Sequence, residues 1–409
     1  MSVVVLVADS VRADMLGRPG GPARTPFFDR LADDGALFDT VISAAPWTVP
    51  SIAAMLTGVY AHRLGLVKWE QPWPASRRSL FDLAAGAGLE VGSFVFDTAH
   101  LFCNVETAKV RGSSQDVPAM LRWFEERRGR PFLAFVHYWW THVPYVSKPM
   151  TVPTWKKVTD ALLDAIRRSD AARAKAEDLY RLAVERFSES FLPVLVGEID
   201  LDTTWLVVTA DHGESFGVRA ETAALRDVFD LHGNTLYREV LEVPLLIRPP
   251  NGLGTRRRVR GLARTVDLLP TMAELLGLDP VLGDIDGVSL AACVTGGARA
   301  PAVEAISARN RDFVDLPDLP EDPDDVWSAF ALTTPTRKLI LDTRTGVRRA
   351  FDLERDPGET DDVAAAEGEA LAPLCSRLDR ERGRSIVGEV LPGDAARIRE
   401  RLRRLGYIE

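Results

Sequence analysis

Three short segments carry residue types from which ester-cleaving chemistry can be built. "LVADSVRADMLG" sets Asp9 and Ser10 directly after an apolar run, and "WLVVTADHGESFG" sets Asp211 and His212 after another. "APWTVPSIAAMLTG" places Thr48 just ahead of a short apolar helix. A carboxylate beside an imidazole suits a divalent ion, and Gly213 lets the backbone turn sharply after the pair. A hydroxyl at the opening of a helix meets free backbone amides, which favour an alkoxide and the anion it attacks. An unassisted alcohol is a poor nucleophile at neutral pH, and metal coordination is one way to activate it. Each feature also has a plain structural reading. Asp9 can cap a helix, and so can Thr48 or Ser51, with Pro50 in the first turn where no amide donor is missed.

The elements that would position these residues follow from hydrophobic patterning. Continuous apolar runs at 2–8, 91–96, 131–138, 203–210 and 243–250 read as buried parallel strands. Helical segments at 26–35, 51–58, 79–88 and 116–129 alternate with them. Strand–helix alternation predicts an α/β fold, a doubly wound, mostly parallel sheet flanked by helices. Its chemistry belongs in loops beyond the carboxyl ends of the strands. Residues 150–200 are helical in period and laced with charge, and read as an inserted helical hairpin that packs over or beside the sheet. Another amphipathic helix is expected at 265–278. From 301 to 409 the pattern changes to short strands and turns, with an antiparallel hairpin about Asp342–Gly346, which predicts a small C-terminal α+β subdomain appended to a catalytic domain of residues 1–300.

Composition narrows the function classes. The 409 residues are 46% hydrophobic and 27% charged with a net charge of −9, which suits neither nucleic acid nor an anionic membrane as a partner. An acidic protein still takes a small anionic ester when a metal reverses the field in its pocket. Cys103, Cys293 and Cys375 are widely spaced and lack a CxxC pattern, so neither a disulfide framework nor a cysteine metal site is expected. No apolar run approaches the roughly 18 residues of a membrane span. "MSVVVLVADS" lacks the features of a signal peptide, so a cytoplasmic location is expected. Oligomeric state is not encoded in any feature of the chain.

The three segments, together with "TPFFDRLADDGALFDTVISAAPWTVPSIAAMLTGVYAHRLG", "FVHYWWTHVPY", "HGNTLYREVLEVPLLIRPP", "VDLLPTMAELLGL" and "AFDLERDPGETDD", resemble in order the landmarks of the sulfatase-like branch of the alkaline phosphatase superfamily. The resemblance runs from the first strand to the C-terminal subdomain. It implies one divalent ion (Mn, Zn, Ca or Mg) held by Asp9, Asp211 and His212, with Thr48 beside it as nucleophile. Ser10 stands where many relatives have a second acidic or amide ligand. His142 and His232 fall where the family contacts the anionic head of the substrate or assists its leaving group. His100 and Lys148 are further candidate substrate contacts. His62 reads as structural, and His137 as facing the core from its strand.

One departure from the family pattern decides the substrate expectation. Sulfatases proper carry a cysteine or serine that is oxidised to formylglycine, followed by proline and arginine. Here the stretch reads Thr48-Val49-Pro50-Ser51-Ile52. A threonine sulfate ester lacks the geminal hydroxyl that expels sulfate, whereas a phosphothreonine is cleared by water attack at phosphorus. The resemblance therefore implies a metal-dependent hydrolase of phosphate esters or phosphonates. The alternatives are a sulfate ester hydrolase, a transferase to an alcohol acceptor, and a degenerate binding protein.

Overall fold

The computed structural model describes residues 1–17, 20–67, 73, 77–96, 105–146, 148, 150–216, 231–278, 283–301, 303–310 and 326–386. Eight strands form the large sheet: β1 (Ser2–Ala8), β2 (Ala36–Ile42), β3 (Glu90–Val95), β4 (Val110–Ser113), β5 (Phe132–Tyr138), β6 (Thr204–Thr209), β7 (Leu245–Arg248) and β8 (Arg257–Arg264). Their order is β4-β3-β5-β1-β6-β7-β2-β8. β1, β5 and β6 are buried along their whole length, which is why they read as unbroken apolar runs rather than alternating ones. β3, β5, β1 and β6 are mutually parallel. Helices α1 (Pro26–Ala32), α2 (Thr48–Thr57), α3 (Ala61–Leu64), α4 (Leu80–Gly86) and α5 (Val117–Glu125) lie between the early strands.

One strand runs against expectation. β7, from the run 243–250, pairs antiparallel with both β6 and β2. The chain leaves β6 at its carboxyl end, and Thr209 pairs with Leu245, the first residue of β7. Entering at that same end forces the reversal, and an apolar run carries no information about direction. β2 and β8 pair parallel with each other beyond it. β8 has no apolar run of its own, because four of its eight residues are arginines spaced along an edge strand.

Residues 150–200 form two 17-residue helices, α6 (Val152–Arg168) and α7 (Asp170–Arg186), broken at Ser169, whose hydroxyl accepts the Ala172 amide. α7 continues through a π-helical turn, Phe187–Phe191, into α8 (Leu192–Gly197). The C-terminal strands β9 (Ala305–Asn310), β10 (Trp327–Thr333), β11 (Arg337–Asp342) and β12 (Arg348–Asp352) make an antiparallel sheet ordered β12-β11-β10-β9. The hairpin between β11 and β12 turns at Asp342–Gly346, where the Asp342 carboxylate accepts the Arg344 and Thr345 amides. The small sheet braces the segment ahead of α2. Ser307 donates to the Ser43 carbonyl, the Ala308 amide to Ala44, and Trp47 Nε1 to the Asn310 side chain.

Candidate active site

Strand register builds the centre. Val7 of β1 lies level with Thr209 of β6 and with His137 of β5. Two residues further on, Asp9 and Asp211 therefore emerge side by side at the carboxyl ends of adjacent parallel strands. His137, two residues back on the third strand, reaches the same place. Its Nε2 is 3.1 Å from Asp9 Oδ2 and 3.8 Å from Asp211 Oδ2. This corrects the expectation that His137 faces the core. A histidine near the carboxyl end of an otherwise apolar, fully buried strand was the available signal.

One oxygen of each carboxylate is held by the protein, and the other is left over. Asp9 Oδ1 accepts Ser10 Oγ at 2.6 Å, and Asp211 Oδ1 accepts the amides of Ser10 (3.1 Å) and His212 (3.0 Å). Asp9 Oδ2, Asp211 Oδ2 and His137 Nε2 are buried without a hydrogen-bond partner. These three residues offer ligand atoms that all lie within 4.8 Å of one another. Ser10 makes this possible by adopting a left-handed backbone (φ 58°), which strains a non-glycine residue by roughly 1–2 kcal/mol. Tyr180 of α7 pins that turn, donating its hydroxyl to the Ser10 carbonyl (2.8 Å) and accepting the Arg12 amide (2.9 Å).

His212 closes a further side. Its Nδ1 is 2.9 Å from the Gly213 carbonyl, which fixes the hydrogen there and turns the Nε2 lone pair inward. Nε2 lies 3.4 Å from Asp211 Oδ2, 3.9 Å from Asp9 Oδ1 and 3.3 Å from Thr48 Oγ1. Gly213 is required for this approach, since a Cβ there would sit 2.2 Å from the Glu239 carbonyl oxygen. Thr48 is the first residue of α2 and is almost wholly buried, while the cap position belongs to Trp47, whose side chain makes no capping bond. Ser51, one turn on, donates to the Asp211 carbonyl and bonds Ser43 at 2.7 Å. That contact docks the start of α2 onto the end of β6.

The charges fit a divalent cation. Burying two adjacent carboxylates costs several kcal/mol per ion unless they are compensated. Burial works against the ionised form of Asp9, but His142, His137 and His212 together hold it below the usual carboxylate range. Burial also opposes charge on His137, and Asp211 and Asp9 overcome it, pushing its pKa up to about 9. A single imidazolium balances one of two negative charges. A divalent ion balances both and satisfies all three leftover atoms with the oxygen and nitrogen donors it prefers.

A second layer holds the remaining histidines. His232 packs its ring 4.6 Å from that of His212 and 5.0 Å from that of His142. Its Nδ1 is 2.9 Å from Glu214 Oε1, and Tyr145 donates to Glu214 Oε2 at 3.0 Å. Glu214 is fully buried, and burial raises its pKa to about 8 despite His142, His212 and the Tyr145 bond. Sequence reasoning missed Glu214 and Tyr145, because their value lies in partners 18 and 69 residues away. His142 stacks on Trp139 at 4.1 Å, and its Nδ1 meets the Val143 carbonyl at 2.7 Å, which also accepts Trp155 Nε1 of α6. Burial lowers its pKa to about 4. His142 is one wall of a cleft lined also by Phe96, Trp139, Trp155 and Lys148. Lys148 is exposed at that cleft, and His100 lies outside the described residues. His62 is buried 3.7 Å from Glu381, and its ring neighbours are Tyr60, Trp327 and Phe330, none of them part of the centre.

Comparison with known proteins agrees with this architecture. The family model described as Sulfatase matches residues 2–278. Among curated relatives, the low-salt glycan biosynthesis sulfotransferase Agl7 of Haloferax volcanii is 27% identical over 300 residues, covering 71% of this chain and 64% of that protein. An ulvan-active sulfatase of Formosa agariphila is 23% identical over 326 residues, covering 68% and 62%. The chain thus spans less than two thirds of the length of either. Among solved structures, the phosphonate monoester hydrolase of Agrobacterium radiobacter superposes with a TM-score of 0.72 at 18% identity, covering 93% of this chain and 95% of its own.

Proposed function

From the premise that this chain belongs to the sulfatase family, we propose that it is a metal-dependent hydrolase of phosphate esters or phosphonates with Thr48 as nucleophile. The carrying observation is the placement of Thr48 Oγ1 3.3 Å from His212 Nε2, beside two buried carboxylate oxygens without partners. A divalent ion bound by Asp9, Asp211, His137 and His212 would acidify the Thr48 hydroxyl and neutralise charge that develops on the transferred group. Ser10 holds Asp9, and Ser51 on the helix that carries Thr48 holds the Asp211 backbone, which ties the nucleophile to the cation site. Thr48 Oγ1 bonds to phosphorus as its proton passes to solvent, and the bond from phosphorus to the leaving oxygen breaks, the leaving oxygen keeping the electron pair. His232 gives that oxygen a proton from Nε2. Water then attacks phosphorus, and the bond to Thr48 Oγ1 breaks to regenerate the hydroxyl. The backbone amides at the start of α2 favour the non-bridging oxygens.

The likeness to a phosphonate monoester hydrolase supports the phosphorus substrate in fold alone. The chemical argument for it is that threonine provides no geminal hydroxyl to release sulfate. The relative named as a sulfotransferase supports a second reading, in which an alcohol replaces water as acceptor. A matched panel of phosphate, phosphonate and sulfate aryl esters tests the proposal. It predicts turnover of the phosphorus esters and a trapped phosphate adduct on Thr48 by mass spectrometry. Turnover of the sulfate ester alone overturns it. Product analysis with added alcohols separates hydrolysis from transfer.

A further inference from the structure

The site holds one carboxylate that faces no leftover metal-ligating atom. Glu214 lies at zero exposure and spends its two oxygens on two different side chains, His232 Nδ1 at 2.9 Å and Tyr145 Oη at 3.0 Å. Burying a carboxylate that only joins two other side chains is expensive, so its retention calls for a task. The geometry is that of a side-chain carboxyl group orienting an imidazole: the 2.9 Å contact fixes which ring nitrogen faces Glu214 and aims Nε2 away from it. Tyr145 steadies the carboxylate from the other side. It is itself locked, almost fully buried, with φ 63° and its ring packed 5.5 Å from Tyr180 and 5.9 Å from Phe216. Phe216, two residues after Glu214, likewise adopts a left-handed backbone at φ 53°. Such positions persist only where the surroundings over-determine them.

We propose that Glu214, steadied by Tyr145, is a positioning residue that fixes the tautomer and aim of His232 and thereby sets how the enzyme responds to leaving-group basicity. The inference rests on the reading of His232 as the donor to the leaving oxygen. In that step the leaving oxygen keeps the electron pair of the broken bond and takes the Nε2 proton. The imidazole returns to neutral, its remaining hydrogen on Nδ1 and donated to Glu214 Oε1.

The test is the dependence of kcat/KM on leaving-group pKa across substituted phenyl phosphonate esters, for wild type, Glu214→Gln, Tyr145→Phe, His232→Ala and Glu214→Gln/His232→Ala. A proton donor matters most for the most basic leaving groups. His232→Ala is expected to lose about 10²-fold or more with the poorest leaving group and little with the best. Glu214→Gln is expected to show the same bias at about 10- to 100-fold, and to add little on top of His232→Ala. In Glu214→Gln the Tyr145 hydroxyl draws the amide oxygen and turns the NH₂ toward Nδ1, so ¹⁵N spectra of the His232 ring should report the opposite tautomer. A uniform loss across all substrates in Glu214→Gln, or full additivity with His232→Ala, overturns the inference while leaving His232 as donor. No bias in His232→Ala overturns the reading of His232 itself. If Glu214→Gln does not fold, Tyr145→Phe decides: a smaller bias of the same sense supports the relay, and an unchanged slope overturns it.

Discussion

Arg264 and Asp267, at the end of β8, are about as buried as Asp9 and Asp211, yet their polar atoms are all engaged. Asp267 accepts Arg264 Nε, Nη2 and backbone amide together with the Val288 amide, and Arg264 also donates to Tyr60 Oη and to the carbonyls of Glu304 and Asp286. At the centre, Asp9 Oδ2, Asp211 Oδ2 and His137 Nε2 converge on one another, two acceptors facing one nitrogen, and His212 Nε2 stands 3.4 Å from Asp211 Oδ2. The residue types are similar and the burial is equal. The difference is saturation. A closed ion pair stabilises a joint in the fold, whereas leftover ligand atoms at the carboxyl ends of parallel strands prepare a place for something the chain does not itself supply.

The largest expected effect separates these two roles through chemistry. Thr48→Ala removes the proposed nucleophile and should lower kcat/KM by at least about 10⁴-fold, with cation binding and thermal stability unchanged, as steady-state kinetics and a thermal melt would show. Retained turnover would detach Thr48 from the reaction. Next, matched carboxylate-to-amide changes set the two clusters against each other. Asp267→Asn leaves Arg264 buried and uncompensated, and should cost about 3–5 kcal/mol in urea unfolding. Asp9→Asn should abolish cation binding, which a metal titration would read, whereas Asp267→Asn should leave cation binding intact. Equal losses of cation binding would erase the distinction.

A smaller effect follows from adding the ion. A divalent cation at 100 times its Kd should stabilise the wild type by about 2.7 kcal/mol, and chelator should remove that gain. His137→Ala should weaken the cation-dependent shift, while His62→Gln should leave it intact.

The pH response of two histidines gives the smallest and sharpest contrast. His62 sits 3.7 Å from one carboxylate, Glu381, and burial outweighs that partner, so its pKa falls below 6.5. Its contribution to stability is present above pH 6.5 and is lost as the pH drops through that value. His137 faces two carboxylates, and its pKa rises to about 9. In metal-free protein its contribution is present below pH 6.5 and is lost as the pH climbs through about 9. Urea midpoints should show His62→Gln flattening the acid side, and His137→Gln the alkaline side, each by up to about 1.4 kcal/mol per pH unit.

Much of this was legible in the chain. Asp9, Asp211, His212 and Thr48 stood out because strand ends and helix starts are punctuated locally, and the register of parallel strands then brings distant punctuation together. What escaped has physical reasons. His137 reads as a core residue when its strand is taken alone, and becomes part of the centre only once β5 lies beside β1. Glu214 follows the Asp211-His212-Gly213 turn so closely that only the fold reveals its commitment to His232 and Tyr145. β7 could be recognised as a strand, but its direction is fixed by which end of β6 the chain leaves. The helical period of residues 150–200 does not reveal that Tyr180 and Trp155 hydrogen-bond to the Ser10 and Val143 carbonyls beside the centre.

The central claim is that the buried ends of β1, β5 and β6 grip a cation next to Thr48. Anomalous scattering from crystals soaked in Mn²⁺ tests it most directly. The account predicts a single strong peak within bonding distance of Asp9 Oδ2, Asp211 Oδ2 and a histidine nitrogen, with Thr48 Oγ1 turned toward it. A peak elsewhere, or Thr48 Oγ1 turned away from a filled site, would contradict it.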